Sequence, residues 1–391
     1  MKKKLNVAVI GAQFMGKAHS HAWVNAPKFF DLPYEPVLKT VIRKTRQANT
    51  EAFAKNWGYE SFGEDWRYAV EDKEIDIIDV CTPTYLHKDI IIAAVEAGKH
   101  VWCEKPVALN YHEALKMAQA ADKAGVLHYL NHNYRRCPAV AFAKQLIDTG
   151  KIGKIYHWRG AYLQDWIMDE SFPLSWQLQA KTAGGGPHYD LNSHNLDLAH
   201  YLVGDVASVT AILKTFITER PLFVEGTGTF GDTKVSGAAE KGKVDVDDAA
   251  FMTVEFKNGA IGSFSASRFA GGRKNYNVFE IYGSKGSLAF DLERMNELQY
   301  FSQDDPADVQ GFRTIPATLP GHPYIDAWWP PAHIIGYEHA FSHAVKDFLE
   351  ALAGDMKIEP NLWDGVKIMQ VLNAAVLSDK ERRRVDVSEI K

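Results

Sequence analysis

A short β-rich run, Leu5–Ile10, breaks on Gly11-Ala12-Gln13-Phe14-Met15-Gly16 and passes at once into helical text. No other junction constrains the chain as much. Glycines at such a turn let the backbone reverse tightly and let the helix close on the strand. The helix N-terminus then presents unpaired N–H groups suited to a pyrophosphate. Gln13 stands where the G-x-G-x-x-G pattern has its second glycine. The junction predicts the opening βα unit of a dinucleotide-binding sheet, with Gly11, Gln13, Phe14, Met15 and Gly16 on its cofactor side.

The same grammar repeats to about residue 130. Strand candidates Val37–Ile42, Ile75–Val80, His100–Cys103 and Val126–Asn131 alternate with helices over Ala48–Trp57, Leu86–Ala97 and Tyr111–Ala124. Gly58, Gly98 and Gly125 close those helices, as in a doubly wound parallel sheet. Pro27, Pro33 and Pro36 read as a loop before the second strand. Later, the runs Tyr156–Gln164, Ser208–Ile217, Ala250–Phe256, Ala260–Ala266 and Asn277–Tyr282 follow one another with few crossover helices, and Asn258-Gly259 signals a hairpin. The expected architecture is α/β: a Rossmann domain over 1–132, then an α+β domain over 133–391 with a large, mostly antiparallel open-faced sheet. A helix over 362–380 is placed to pack back on the first domain. Gly226–Lys243, rich in Gly, Thr and Lys, reads as a mobile loop.

Composition closes off other classes. With 46% hydrophobic and 24% charged residues over 391 positions the chain has cores to bury, so disorder is excluded. A net charge of −5 without a long basic block argues against nucleic acid or an anionic membrane as partner. No uncharged apolar run approaches the ~20 residues of a spanning helix. Three cysteines without a CxxC pair fit a reduced, cytoplasmic protein with no cysteine metal site.

Chemistry-bearing residues gather where strands end, the edge at which ligands bind in this architecture. After the second strand stands Arg43-Lys44-Thr45-Arg46, with no acid before Glu51. A basic side chain there suits the 2′-phosphate of NADP, yet basic strand ends also serve NAD, so the cofactor is NAD(P) with both forms open. Thr82-Pro83-Thr84-Tyr85-Leu86-His87 follows the next strand, and Glu104-Lys105-Pro106 the one after. A lysine before proline can be aimed into a cleft, since such bonds tolerate cis. For His19, His21 and His87 the reading is structural or cofactor-side hydrogen bonding rather than catalysis. Further on comes Gly184-Gly185-Gly186-Pro187-His188-Tyr189-Asp190-Leu191-Asn192-Ser193-His194. If a helix starts near Tyr189, Asp190 and His194 share a face one turn apart, and a carboxylate beside an imidazole suits general base work on a hydroxyl. A metal on His188, Asp190, His194 and His200 is set aside, because 194 and 200 lie six residues apart on one helix.

Read jointly, these motifs resemble the glucose–fructose oxidoreductase / inositol dehydrogenase / MocA family. They run in order through Gly11–Gly16 with Lys17-Ala18-His19, Thr82–His87, Glu104-Lys105-Pro106, Asn133-Tyr134-Arg135-Arg136, and Gly184–Asp190 with His194. Tyr162-Leu163-Gln164-Asp165-Trp166, Pro173-Leu174-Ser175-Trp176 and Val244–Asp248 are most similar to its pyranoside 3-dehydrogenases. Three residues depart from that pattern: Gln13, Lys44 in place of an acid, and Gln177 in place of an arginine. The resemblance implies oxidation of a secondary sugar hydroxyl. His194 takes the proton, Asp190 orients it, Lys105 polarises the oxygen, and hydride goes to the nicotinamide. On the same basis Gly11, Gln13, Phe14, Met15, Gly16, Arg43, Lys44, Thr82, Pro83, Thr84, His87, Glu104, Lys105 and Asn133 face the cofactor. Lys105, Asn133, Arg135, Tyr162, Asp165, Trp166, Trp176, Asp190 and His194 face a carbohydrate. A homodimer or homotetramer is implied as well. A redox-neutral glycoside-cleaving enzyme that retains its cofactor, and a non-catalytic sugar or dinucleotide sensor, are the rival readings.

Overall fold

The computed structural model describes residues 2–44, 47–222, 240–354 and 356–391. Most of the expected Gly226–Lys243 loop, and Thr45 and Arg46 of the basic stretch, lie outside them. The chain divides into two compact units: residues 1–108, 112–137 and 318–366 form one, and 109–111, 138–317 and 367–391 the other. The first unit therefore recovers residues 318–366, which the sequence reading gave to the second.

In the first unit, strands β1 (Lys3–Ile10), β2 (Tyr34–Ile42), β3 (Ser61–Gly63), β4 (Ile77–Val80), β5 (His100–Cys103) and β6 (His128–Leu130) pair all-parallel in the order β3-β2-β1-β4-β5-β6. Helices α1 (Phe14–Phe29), α2 (Gln47–Trp57), α3 (Trp66–Glu71), α4 (His87–Glu96) and α5 (Tyr111–Ala124) connect them. Near-continuous burial of β1 and β4 is what a sheet covered on both faces requires. Helix α1 runs on through Pro27, which the sequence reading had placed in a loop. The ring forfeits the backbone bond to the Trp23 carbonyl, and the helix ends two residues later. An amphipathic helix over His339–Ala353, missed from sequence, buries Phe341, Val345 and Phe348 in the cluster that also holds Trp23, Trp102 and Tyr129.

The second unit carries a nine-stranded mixed sheet. Its strands are β7 (Ile155–Leu163), β8 (Val206–Lys214), β11 (Ala249–Phe256), β12 (Ile261–Ser267), β13 (Tyr276–Gly283), β14 (Gly286–Asp291), β15 (Glu297–Ser302), β16 (Arg313–Pro316) and β17 (Val385–Asp386). β9 (Glu219–Pro221) and β10 (Lys241–Lys243) form a separate ribbon. All neighbours in the large sheet are antiparallel except β7 and β12, which run parallel. The hairpin between β11 and β12 turns at Asn258-Gly259, with Gly259 at φ 87° as such a turn demands. β11 alternates strictly, with Ala250, Met252, Val254 and Phe256 inward and Phe251, Thr253 and Glu255 outward. Helices α6 (Pro138–Asp148), α7 (Ala180–Ala183), α8 (Pro187–Asp190) and α9 (Asn192–Leu202) belong to this unit. After α10, the helix over His339–Ala353, comes α11 (Leu362–Glu381). Residues of α11 up to Val366 count with the first unit, and those from Lys367 with the second. No helix among the described residues is long and apolar enough to cross a membrane.

Candidate active site

The carboxyl ends of the parallel strands carry the cofactor-side residues. Gly11, ending β1, has φ 116°, and a Cβ on it would stand 2.5 Å from the Cys81 carbonyl oxygen. A Cβ on Gly16 would stand 1.9 Å from the carbonyl of Gly11. Both positions exclude every other residue, so helix and strand close as the turn requires. Gln13 is the N-cap of α1, Phe14 stacks on Tyr337, and Met15 is half-buried. Arg43 is half-buried at the end of β2, its N–H bonded to the Gly63 carbonyl, and Lys44 beside it is exposed.

After β4, Thr82 and Pro83 are half-buried and Thr84 is buried. Thr82 Oγ1 is sequestered with no hydrogen-bond partner among the described residues, and so is Asn133 Nδ2 beyond β6. Two such orphans at the ligand edge of a Rossmann sheet, beside a glycine cradle, fit a bound dinucleotide. His87 takes the structural one of the two roles read for it. It is buried, with Nε2 2.9 Å from the Thr82 carbonyl and Nδ1 3.2 Å from that of Val107. Its ring fastens the Thr82 turn from behind, and burial pulls its pKa down.

Under Glu104-Lys105 lies a buried chain of charges. His19 Nδ1 is 2.8 Å from Asp79 Oδ1, and His19 Nε2 is 2.8 Å from Glu104 Oε1. Trp23 Nε1 donates to Asp79 and Asn131 Nδ2 to Glu104, at 2.8 and 2.5 Å. Burial alone would strip the imidazole of its proton, but Asp79 foremost, joined by Cys81, holds the pKa well above the ordinary 6.5. Burial likewise opposes charge on Glu104, yet the His19 and Asn131 hydrogen bonds bring its pKa below normal. The other Glu104 oxygen accepts from the Lys105 N–H at 3.1 Å, and the Lys105–Pro106 peptide is cis. Glu104 thus faces inward and anchors the backbone of Lys105. Arg135, buried, pairs with Asp364 at 3.6 Å.

In the second unit Asp247 explains the last glycine of the run, Gly186. A Cβ on Gly186 would meet the Asp247 carbonyl oxygen at 1.8 Å. The Asp247 carboxylate accepts from the N–H groups of Gly186 and His188, both at 2.8 Å. The helix is interrupted at Leu191, so Asp190 ends α8 while His194 lies in the first turn of α9. One Asp190 oxygen accepts from Arg268 Nη2 at 2.7 Å, a partner absent from the sequence reading. The His194 ring lies 5.7 Å from that of Tyr162. His188 is turned away, Nε2 on the Leu372 carbonyl.

Tyr162 lies near the end of the central strand β7, and Asp165 and Trp166 follow just beyond it. Tyr162 Oη donates to Asn275 Oδ1 at 2.6 Å, and Gln164 Nε2 donates to the same oxygen at 3.1 Å. Trp166 Nε1 donates to Gln164 Oε1 at 2.8 Å. Asp165 is committed elsewhere: Lys274 Nζ and the Gly272 N–H bind its carboxylate, and Lys274 foremost keeps its pKa below the usual range. That makes it a clasp between two loops. Trp176 is half-buried at the start of a 3-10 turn. Asn275 and Arg268 were missed because their partners lie about a hundred residues away in sequence.

Residues 5–132 match the family model of the oxidoreductase family with an NAD-binding Rossmann fold, and residues 140–289 match that of the GFO/IDH/MocA C-terminal domain. The chain belongs to the GFO/IDH/MocA family. It is accordingly an oxidoreductase with an NAD-binding Rossmann fold. Levoglucosan dehydrogenase of Pseudarthrobacter phenanthrenivorans is 43% identical over 390 residues, spanning 99% of each chain. A crystal structure of levoglucosan dehydrogenase in complex with NADH and levoglucosan matches with TM-score 0.92 at 42% identity, covering 98% of this chain and 100% of that one. The 2,7-anhydro-N-acetylneuraminate hydratase of Escherichia coli is 26% identical over 82% of this chain and 83% of its own.

Proposed function

We propose that this GFO/IDH/MocA member is an NAD(P)-dependent sugar dehydrogenase oxidising a secondary hydroxyl, C3 foremost, of a pyranose, anhydrosugar or glycoside. One observation carries the reading: full-length identity of 43% to levoglucosan dehydrogenase, joined to the presence of Lys105, Asp190 and His194. When bound, the nicotinamide supplies the hydride acceptor. The glycine turn and the start of α1 hold the pyrophosphate; Thr82, Pro83, Thr84 and Asn133 bound the nicotinamide end. Lys105, its backbone pinned by Glu104, donates a hydrogen bond to the reacting oxygen. His194 takes the hydroxyl proton, and Asp190 offers it the carboxylate oxygen that Arg268 leaves. Trp166, with Tyr162 and Trp176, supplies the apolar surface on which a pyranose stacks, and Arg135 supplies polar recognition.

Purified protein incubated with NAD or NADP and a panel of pyranoses, anhydrosugars and glycosides tests this. Reduced cofactor should appear with at least one sugar, levoglucosan first. The likeness to a hydratase favours a second reading, a redox-neutral reaction on a retained cofactor. It predicts cofactor copurifying with the protein and product forming without net reduced nicotinamide. We further propose that the chain works as a homodimer or homotetramer joined through the outward sheet face that exposes Ile212, Phe251 and Ile261.

A further inference from the structure

Arg268 is a buried charge to which the reaction above assigns no step. Strands β7 and β12 run parallel with Leu163 opposite Ser267, so the segments bearing Trp166 and Arg268 leave the sheet side by side. Arg268 is 1% exposed. Its Nη2 holds Asp190, its guanidinium carbon lies 5.1 Å from the centroid of the Trp166 ring, and Nε and Nη1 find no acceptor among the described residues. The other end of the pair is wetter, since the Asp190 side chain is 31% exposed. A buried cation with unmet donors is a poor device for stability alone, because an apolar side chain of like volume would serve as well or better. Its geometry serves something else. Through a cation–π contact it fixes the plane of Trp166, whose N–H is locked by Gln164 and whose ring centroid lies 5.2 Å from that of Phe172, the two planes near perpendicular. Through Asp190 the same group reaches the turn that precedes His194.

We propose that Arg268 is a positioning residue for the sugar, coupling the Trp166 stacking surface to Asp190 at the turn that precedes His194. The proposal rests on the sugar dehydrogenase reading. Loss of Arg268 therefore damages the sugar side and spares the dinucleotide side.

The test compares full-length R268M, R268K, D190N and the double variant D190N/R268M with wild type. It measures melting temperature, NADH affinity, and KM and kcat for levoglucosan. R268M should lower Tm by roughly 5 °C, because it strands the Asp190 charge. The double variant should regain most of that loss. In both, KM for the sugar should rise at least about ten-fold and kcat should fall, with NADH affinity within about two-fold. R268K keeps the charge but not the planar stack, so it should stay folded with KM still raised, and it covers the case in which R268M does not fold. A double variant that regains wild-type KM along with Tm, or R268K with unaltered sugar kinetics, would overturn the proposal. If wild type oxidises no sugar, the functional reading fails on its own account. Calorimetric binding of levoglucosan to the NADH complex then decides: binding at least about ten-fold weaker in R268K sustains the role of Arg268. Equal binding, or none to wild type, overturns it.

Discussion

Single substitutions distinguish the roles proposed for Lys105 and His194 from mere scaffolding. K105A and H194A should each lower kcat by at least about 10²-fold, the scale of a lost proton-transfer or polarising group, with NADH affinity within a few-fold of wild type. Steady-state kinetics with fluorescence titration of NADH checks both, and full activity in either variant refutes its assignment. His19 governs stability instead. Its pKa is raised above the ordinary 6.5, so its contribution is complete below that value and disappears as pH rises through the folded-state pKa. Glu104 is lowered below 4.5, so its contribution is present above 4.5 and disappears as pH falls through its folded-state pKa. Melting temperature measured against pH should decline on the alkaline side in wild type. H19Q should be less stable at neutral pH by about 3 kcal/mol and should lack that alkaline decline. At the end of β2, K44D should reduce kcat/KM for NADP at least about ten-fold more than for NAD, if Lys44 meets the 2′-phosphate. Equal effects on the two cofactors would take Lys44 out of the cofactor site.

Elements with local signatures were legible from the chain. β5 and α5 fall where the residues place them, because each is bounded by glycine or by a strand-end motif and needs no distant partner to define it. Strands β14 to β16 and the helix over His339–Ala353 escaped notice. Their burial depends on long-range pairing, as when Phe348 enters the Trp102 and Tyr129 cluster from more than 200 residues away. The candidate site divides in the same way. Gly11, Gly16, Lys105 and His194 stand in motifs; Arg268 and Asn275 stand alone at strand ends and gain meaning only from what the fold brings to them. His87 and Asp165 show the converse, being motif residues that the fold spends on holding turns and loops. At Gly186 the packing is tight enough to test. G186A should push α8 off Asp247 and lower stability by about 3 kcal/mol, with sugar turnover falling alongside. An unchanged melting temperature would show that the close approach is relaxed in solution.

At the scale of the molecule, the chain forms two compact units, one built on an all-parallel sheet and the other on a mixed sheet. The proposed assembly is tested on the outward face of that second sheet. Placing a charge there with F251E should convert the dimer or tetramer to monomer in light scattering, whereas an unaltered mass would move the subunit contact elsewhere. Net oxidation of a sugar is the reaction proposed for this chain. Reduced nicotinamide released by wild type and H194A with levoglucosan and NAD measures it most directly. Steady accumulation of NADH by wild type, lost at least about 10²-fold in H194A, is the expected result. No NADH from wild type with that sugar or any other in the panel, under either cofactor, would contradict it.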